Sequence, residues 1–102
     1  MPNYVLIFRS TTSYDPSPQT SAAWQEFFAG LGDSLVQLGQ PVVADATIGS
    51  CDTERTRLGG YSIIEADDLD AAAAIAKASP AVASGGGVEI GELGPVPPVR
   101  TS

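Results

Sequence analysis

The stretch GGYSIIEADDLDAAAAIAKASP, residues 59–80, predicts a strand, a capped helix and a helix end in direct succession. Residues 61–66 are mostly strand formers. Asp67 or Asp68 can accept hydrogen bonds from the first N–H groups of the helix, where a negative charge is also favourable. Pro80 ends the helix because proline has no N–H to continue it. An apolar stripe of small side chains lets this helix lie close to a sheet. The stripe consists of Leu69, Ala72, Ala73 and Ala76.

A strand and a longer helix precede this stretch. Residues 4–8 are a continuous apolar run, which predicts a strand covered on both faces. Ser17 can cap a helix that begins at Pro18, and Gly39 and Pro41 are expected to end it. Gly30 and Gly32 weaken the middle of this helix, and a kink or a break there is the alternative. The apolar residues between them have the spacing of one helical face, which should pack on the sheet. They are Trp24, Phe27, Phe28, Leu31, Leu35 and Leu38.

Two further strands complete the pattern. Residues 42–48 alternate with a period of two, which predicts a strand. The polar, glycine-bounded residues 49–60 suit a hairpin connection to the strand at residues 61–66. The glycines at 85–87 form a turn, and residues 88–93 are the last strand.

The order strand, helix, strand, strand, helix, strand predicts an α+β domain with the ferredoxin-like βαββαβ arrangement. Right-handed crossovers then produce an antiparallel four-stranded sheet with two helices on one face. The domain is expected to span residues 1–93 as a single unit. Residues 94–102 are expected to be a proline-rich C-terminal tail.

The second face of this sheet is expected to be apolar and without a helix. Val5, Ile7, Val43 and Ile63 are the residues expected there. An uncovered apolar face usually marks an interface. The pattern therefore predicts a homodimer through the sheet face, in which two sheets pack against each other as a dimeric α+β barrel.

The composition excludes several classes of partner. The chain of 102 residues has a formal net charge of −7 and only five lysines and arginines, so nucleic acid phosphates would be repelled. The apolar run at residues 4–8 is too short for a signal peptide or a membrane span, and we expect no membrane association. Cys51 is the single cysteine, which excludes an intrachain disulfide and suits the cytoplasm.

The residue types also limit the chemistry. The chain has no histidine, which excludes a serine or cysteine nucleophile activated by one and nearly excludes a closed zinc site. The glycines at 85–87 precede a strand and lack the lysine of a phosphate-binding loop. Asp67, Asp68 and Asp70 lack the spacing of a calcium loop. The sequence therefore assigns no catalytic residue, no metal and no cofactor.

One polar set remains as a candidate site. Arg9, Asp45 and Glu65 occupy strand positions that could converge on the uncovered sheet face. In one interpretation, Arg9 forms an interfacial ion pair with Glu65 or Asp45. In the other, the three residues bind a small anionic ligand, with Arg9 on its negative group and a buried carboxylate as a base.

The segment GGYSIIEADDLDAAAAIAKASPAVASGGGVEIGEL, residues 59–93, resembles the second half of YCII-related proteins, also called the DGPF group. In that family an aromatic strand of the form GGYxxxEA leads into a helix, and a proline-containing turn and a glycine-rich strand follow. MPNYVLIFRS, residues 1–10, resembles the start of the family. The resemblance implies a dimeric α+β barrel in the bacterial cytoplasm, with a biochemical role that is largely unassigned.

The chain departs from the family at the residues linked to chemistry. Many relatives have a histidine in the first helix, thought to act with an aspartate before the last strand. The resemblance places Phe28 at or near the histidine and Ser79 at the aspartate. The DGPF stretch is also missing, and residues 51–60 stand in its place. These departures imply a dimeric module that is non-catalytic or binds a ligand. The alternative is a cofactor-independent lyase, isomerase or monooxygenase-like enzyme acting on a small organic acid.

Overall fold

The computed structural model describes residues 1–11, 17–51 and 56–96. Within these ranges the chain forms four strands and three helices, with a short 3-10 turn at Gly32–Ser34. The strands are β1 Asn3–Thr11, β2 Leu35–Gln37, β3 Thr56–Glu65 and β4 Gly87–Glu92. The helices are α1 Pro18–Leu31, α2 Leu69–Lys77 and α3 Pro80–Ala83. Of the predicted tail, residues 97–102 lie outside the described residues, as do residues 52–55 of the predicted hairpin connection.

The four strands form one antiparallel sheet in the order β2-β3-β1-β4. β1 and β3 are therefore central, and β2 and β4 are the edge strands. This order confirms the ferredoxin-like α+β fold, with α1 connecting β1 to β2, and α2 and α3 connecting β3 to β4. Ile7 marks the middle of the sheet, since it is opposite Tyr61 of β3 on one side and Glu89 of β4 on the other.

A bulge in β3 changes the register near the end of β1. Phe8 is opposite Gly60 but Arg9 is opposite Leu58, so Gly59 is the additional residue. A Cβ atom at position 59 would lie 2.5 Å from the hydroxyl oxygen of Ser10 and 3.2 Å from the carbonyl oxygen of Phe8, so a larger residue would crowd β1 at the bulge.

The hydrophobic core lies between the sheet and the helices. Alternate β1 residues, Tyr4, Leu6 and Phe8, are buried on the helical side. Small side chains from α2 and α3 allow these helices to approach closely, and Ala72 is completely buried. The buried residues that complete the core are Ile64, Ala66, Ala76 and Ala81.

The helix caps follow from the sequence. The Asp68 side chain accepts a hydrogen bond from the Ala71 N–H at 2.8 Å, which confirms Asp68 as the cap of α2. Lys77 lies in the last turn, where a positive charge is favourable. The Ser17 hydroxyl accepts a hydrogen bond from the Thr20 N–H at 3.2 Å, which confirms the predicted start of α1.

The predicted end of the first helix, at Gly39 and Pro41, was wrong. α1 ends at Leu31 because Gly32 follows with φ of 54°, a backbone conformation that favours glycine and does not continue a helix. Leu35 then belongs to β2 and pairs with Ile64 of β3.

The predicted strand at residues 42–48 was also wrong, since the structure places the second strand earlier, at Leu35–Gln37, where it pairs with Ile63 and Ile64 of β3. Pro41 forms an isolated bridge with Gly60, flanked by hydrogen bonds of its two neighbours, Gln40 and Val42, to β3. The chain then leaves the sheet, and Val43 is 94% exposed instead of lying on the sheet face.

The phenol of Tyr4 is a buried titratable group on the helical side of β1. Its side chain is 1% exposed, and its hydroxyl donates a hydrogen bond to Glu92 Oε1 at 3.0 Å. Burial raises the pKa of Tyr4 above its ordinary value of 10.0, and the hydrogen bond and charge of Glu92 and the charge of Asp68 act in the same direction. The folded protein therefore holds this proton more tightly than the unfolded chain.

We expect the Tyr4→Phe variant to lose less stability in alkali than the wild type. A raised pKa in the folded state contributes stability that is fully present below about pH 10 and is lost as the pH rises through the folded value. The free energy of unfolding, measured in urea between pH 8 and pH 11, should therefore fall less steeply for this variant. Tyr61→Phe is the matched control, since Tyr61 is 37% exposed. Parallel curves for Tyr4→Phe and wild type would contradict the expectation.

Candidate functional site

The sheet face opposite the helices, here called the open face, carries the side chains that alternate with the buried ones. Val5 and Ile7 of β1 lie there, and both are half-buried. Ile63 and Tyr61 of β3 pair with Val5 and Ile7, so their side chains lie on the same face. Leu58 pairs with Arg9 and lies on this face too. Glycines of β4 complete the face and leave it shallow. The open face is therefore apolar along its β1 and β3 centre, with Glu89 of β4 beside Ile7, Arg9 near one end, and Asn3 and Glu65 at the other end.

Arg9 is the basic group near one end of the open face. Its Nε–H donates to Thr56 Oγ1 at 3.3 Å, and its Nη2 donates to the Thr56 carbonyl oxygen at 3.2 Å. Glu89 Oε1 lies 4.0 Å from the Arg9 Nε. The Arg9 side chain is only 16% exposed, whereas that of Glu89 is 72% exposed. The guanidinium is therefore held in one orientation. It has five N–H groups in all, so those that do not bind Thr56 can donate further hydrogen bonds.

The structure does not bring the three predicted site residues together within one protomer. Glu65 is opposite Asn3, six residues from Arg9 along β1, which corresponds to about 20 Å. Asp45 lies in the exposed segment that leaves the sheet. Within the protomer Arg9 pairs with Glu89, and the interfacial ion pair of Arg9 with Glu65 or Asp45 stays a prediction. The β1–β4 register brings Glu89 near Arg9, and sequence periodicity does not specify a register.

Arg57 is a second basic residue that lies on a strand, although the sequence pattern predicted a connection at residues 49–60. It is exposed and pairs with Ser10 at the start of β3. Because successive side chains of a strand alternate between faces, Arg57 lies on the opposite face from its neighbour Thr56. Arg57 therefore does not add its charge to the Arg9 end of the open face.

Aromatic side chains fill the space between α1 and the sheet. The rings of Trp24 and Phe28 stack with centroids 5.6 Å apart, and Phe8 meets the Trp24 ring edge-on at 4.9 Å. Phe27 and Leu31 pack against the same core. The predicted contact of the apolar α1 face with the core is confirmed, although these side chains are only half-buried. The position at or near the histidine of the relatives thus lies in an aromatic cluster.

Ser79 is the residue at the aspartate position of the relatives. It is completely buried, and its Oγ has no hydrogen-bond partner among the described residues. Its backbone is paired, since its N–H donates to the Ala76 carbonyl at 3.0 Å and its carbonyl accepts from the Val82 N–H at 3.2 Å. A hydroxyl at this position supplies no carboxylate in place of the aspartate of the relatives.

A groove of about 580 Å³ runs between α1 and the α2–α3 pair. Its lining is apolar except for the carboxylate of Glu26. The other lining residues include Phe27, Leu31, Ile75 and Pro80. No local sequence pattern predicts this groove, because its shape depends on the separation of helices that are distant in the chain.

Among the described residues, no group of three histidine, cysteine, aspartate or glutamate side chains is arranged to hold a metal ion. None of the helices in the described ranges is long and apolar enough to cross a membrane.

The fold and the open face define a ferredoxin-like α+β protein with an uncovered sheet. The model of the YCII-related domain matches residues 5–94, so the chain belongs to the YCII-related family. No curated protein matches the chain. A similar solved structure is 5-chloro-2-hydroxyhydroquinone dehydrochlorinase from Burkholderia phenoliruptrix in complex with 2,5-dihydroxybenzoquinone. The two chains are 21% identical over 89% of this chain and 93% of the other, with a TM-score of 0.57, which supports the shared fold.

Proposed function

We propose that this chain is a homodimeric module of the YCII-related family that binds a small organic anion and lacks histidine–aspartate acid–base chemistry. The observation that carries the proposal is the aromatic cluster at Phe28, which fills the position at or near the histidine with an apolar ring. Ser79 adds support, because its buried hydroxyl cannot replace the aspartate as a base at neutral pH.

The open face supports the homodimer. Five apolar side chains lie on it half-buried or exposed, and two copies that pack face to face would remove them from water. They are Val5, Ile7, Leu58, Tyr61 and Ile63. A domain of this size buries a limited share of its own surface, so this added burial would be a large part of its stability. We place the dimer in the bacterial cytoplasm, where the exposed thiol of Cys51 would stay reduced.

Arg9 is the residue that we propose for the anion. The chain carries a net charge of −7, so an anionic ligand needs a local positive group. The guanidinium of Arg9 is oriented by Thr56 and can offer its remaining N–H groups to two oxygens at once. Glu65 could reach the same ligand only from a second copy, because it lies about 20 Å from Arg9 along β1. Asp45, in the exposed segment after Pro41, is the other carboxylate that we propose for the ligand.

An enzyme of the dimeric α+β barrel type is the second candidate. The similarity to a 5-chloro-2-hydroxyhydroquinone dehydrochlorinase in complex with 2,5-dihydroxybenzoquinone favours it, since that protein is an enzyme of the same fold. In this chain Glu89, 4.0 Å from Arg9, is the carboxylate positioned to act as a base on a ligand that Arg9 holds. Such a reaction would take place without histidine.

We expect calorimetric titration with 2,5-dihydroxybenzoquinone, benzoate and succinate to identify an anion that binds the wild type. Arg9→Met should weaken binding of that anion at least tenfold, because methionine keeps much of the stem volume and removes the charge. Arg57→Met is the matched control, because it removes the same charge from an exposed position on the other face. Equal binding by wild type and Arg9→Met would eliminate Arg9 as the anchor. Dimer weakening in Arg9→Met, with no anion bound by the wild type, would instead support a purely structural ion pair with Glu89.

A further inference from the structure

The groove between α1 and the α2–α3 pair lies on the helical side of the sheet, away from Arg9 and the open face. Its volume of about 580 Å³ is in the range of small-molecule pockets. One face of α1 lines it, with the spacing i, i+3, i+4, i+7 and i+8. The residues of this face are Ala23, Glu26, Phe27, Gly30 and Leu31. The groove is therefore a separate concave surface that the proposed anion site does not use.

The apolar lining of the groove is only partly covered by the protein itself. Phe27, Leu31 and Ile75 are half-buried, and no residue of α1, from Pro18 to Leu31, is fully buried. Gly30 leaves room beside the Phe27 ring, since a Cβ atom at position 30 would have no other atom within 4 Å. A ligand with an apolar body would remove the exposed parts of these side chains from water.

The charge of the groove is negative. Glu26 forms no ion pair among the described residues, and no lysine or arginine lines the groove. The ends of α1 and α2 also reach it, through Leu31 and Ala78, and the carbonyl groups at a helix end carry partial negative charge. The last turn of α1 has no basic residue, and Lys77 in the last turn of α2 does not line the groove. The groove therefore favours a positive group over a negative one.

We propose that the groove binds a small organic cation, an amine with an aromatic or aliphatic body. Its ammonium group lies beside the Glu26 carboxylate, and its body packs on Phe27 and Leu31. Attraction between an ammonium group and the face of an aromatic ring adds to this binding. The inference goes beyond the proposed function, because that ligand is an anion held by Arg9 on the other side of the sheet.

2-Phenylethylamine and 2-phenylethanol test the proposal, because they have the same apolar body and differ in charge at neutral pH. Trp24 is the single tryptophan of the chain, and its ring centroid lies 6.0 Å from that of Phe27. Its fluorescence, together with calorimetry, therefore reports binding in the groove. We expect the amine to bind about fivefold more tightly than the alcohol, the effect of an ion pair close to the surface.

Glu26→Gln tests the charge of the groove. It should weaken binding of the amine about fivefold and leave that of the alcohol within about twofold of wild type. Asp70→Asn is the matched control, since it removes the same charge from the first turn of α2, at the other end of that helix from the groove. This control should bind both probes as the wild type does.

Ala23→Leu/Gly30→Leu tests the location of the site by filling the groove. It should weaken binding of both probes at least tenfold, because the added side chains occupy the space of the apolar body. Ala22→Leu/Ala29→Leu is the matched control, since it adds two leucines at exposed positions of the same helix that do not line the groove. Far-UV circular dichroism should show that both double variants keep the helices of the wild type.

The outcomes separate this site from the proposed anion site. Arg9→Met should bind 2-phenylethylamine as the wild type does, so a failed search for an anion leaves the groove unaffected. A wild type that does not bind the amine at millimolar concentration overturns the proposal. Equal binding of amine and alcohol by the wild type overturns the cation. A groove-filling variant that binds the amine as tightly as its control overturns the location.

Discussion

Replacement of Phe8 by alanine is expected to destabilise the protein by about 3–5 kcal/mol, the range for removing a buried aromatic ring. Phe8 is 5% exposed and lies at the centre of the core. Its ring meets Trp24, Phe27 and Phe28 edge-on, with centroids 4.9, 6.5 and 6.4 Å away. The substitution therefore removes apolar burial and three aromatic contacts, and leaves a cavity that α1 can fill only in part.

Phe28→Ala provides the comparison for this first prediction. Phe28 contacts the same rings but is only half-buried, so its loss should cost about 2 kcal/mol, less than the range for a fully buried ring. The free energy of unfolding in urea, at one fixed protein concentration because dimerisation would contribute, should rank Phe8→Ala as the more destabilised variant. If the two variants are equally stable, Phe8 is not the centre of the core that the ring geometry indicates.

The second large effect is expected on the open face. Ile7→Glu should convert the proposed dimer to a monomer, because Ile7 lies in the middle of the face between Tyr61 and Glu89. Each dimer would then have to bury two new carboxylates, and each of them would lie opposite the carboxylate of Glu89 within its own sheet. Sedimentation at micromolar concentration should show twice the chain mass for wild type and the chain mass for the variant.

Ala74→Glu is the control for the open face, since it adds the same charge at an exposed position on α2. It should remain dimeric, and far-UV circular dichroism should show that both variants keep their helices and strands. A dimeric Ile7→Glu variant would place the interface elsewhere on the molecule. A monomeric wild type would remove the homodimer from the proposed function.

Much of the fold could be predicted from local patterns. Asp68 caps α2, and Ala72 and Ala76 are its buried residues, as predicted. Both features could be predicted because capping and helical periodicity depend only on residues within a few positions of each other. The continuous apolar run of β1 predicted a strand covered on both faces, although in the protomer one of its faces is the half-buried open face. The resemblance at residues 59–93 agrees with the match to the YCII-related domain over residues 5–94.

The position of β2 could not be predicted in the same way. Residues 42–48 have the better strand pattern, but Leu35–Gln37 pairs with β3. Gly32 ends α1 early, so the chain reaches the edge of β3 at Leu35, before the residues with the better strand pattern. A single sequence shows both strand-forming segments, but it does not show which of them pairs more favourably with a distant strand.

The sequence by itself determined the class of fold, the helix caps, the lack of histidine and the single cysteine, because each of these follows from residue identity or from short-range periodicity. Only the tertiary structure decided that Arg9 pairs with Glu89 and Thr56 and that Glu65 lies about 20 Å away along β1. It also decided that Ser79 is completely buried, and that residues 42–50 leave the sheet. The physical reason is strand register, since a shift of one residue, such as the bulge at Gly59, changes which distant side chains meet.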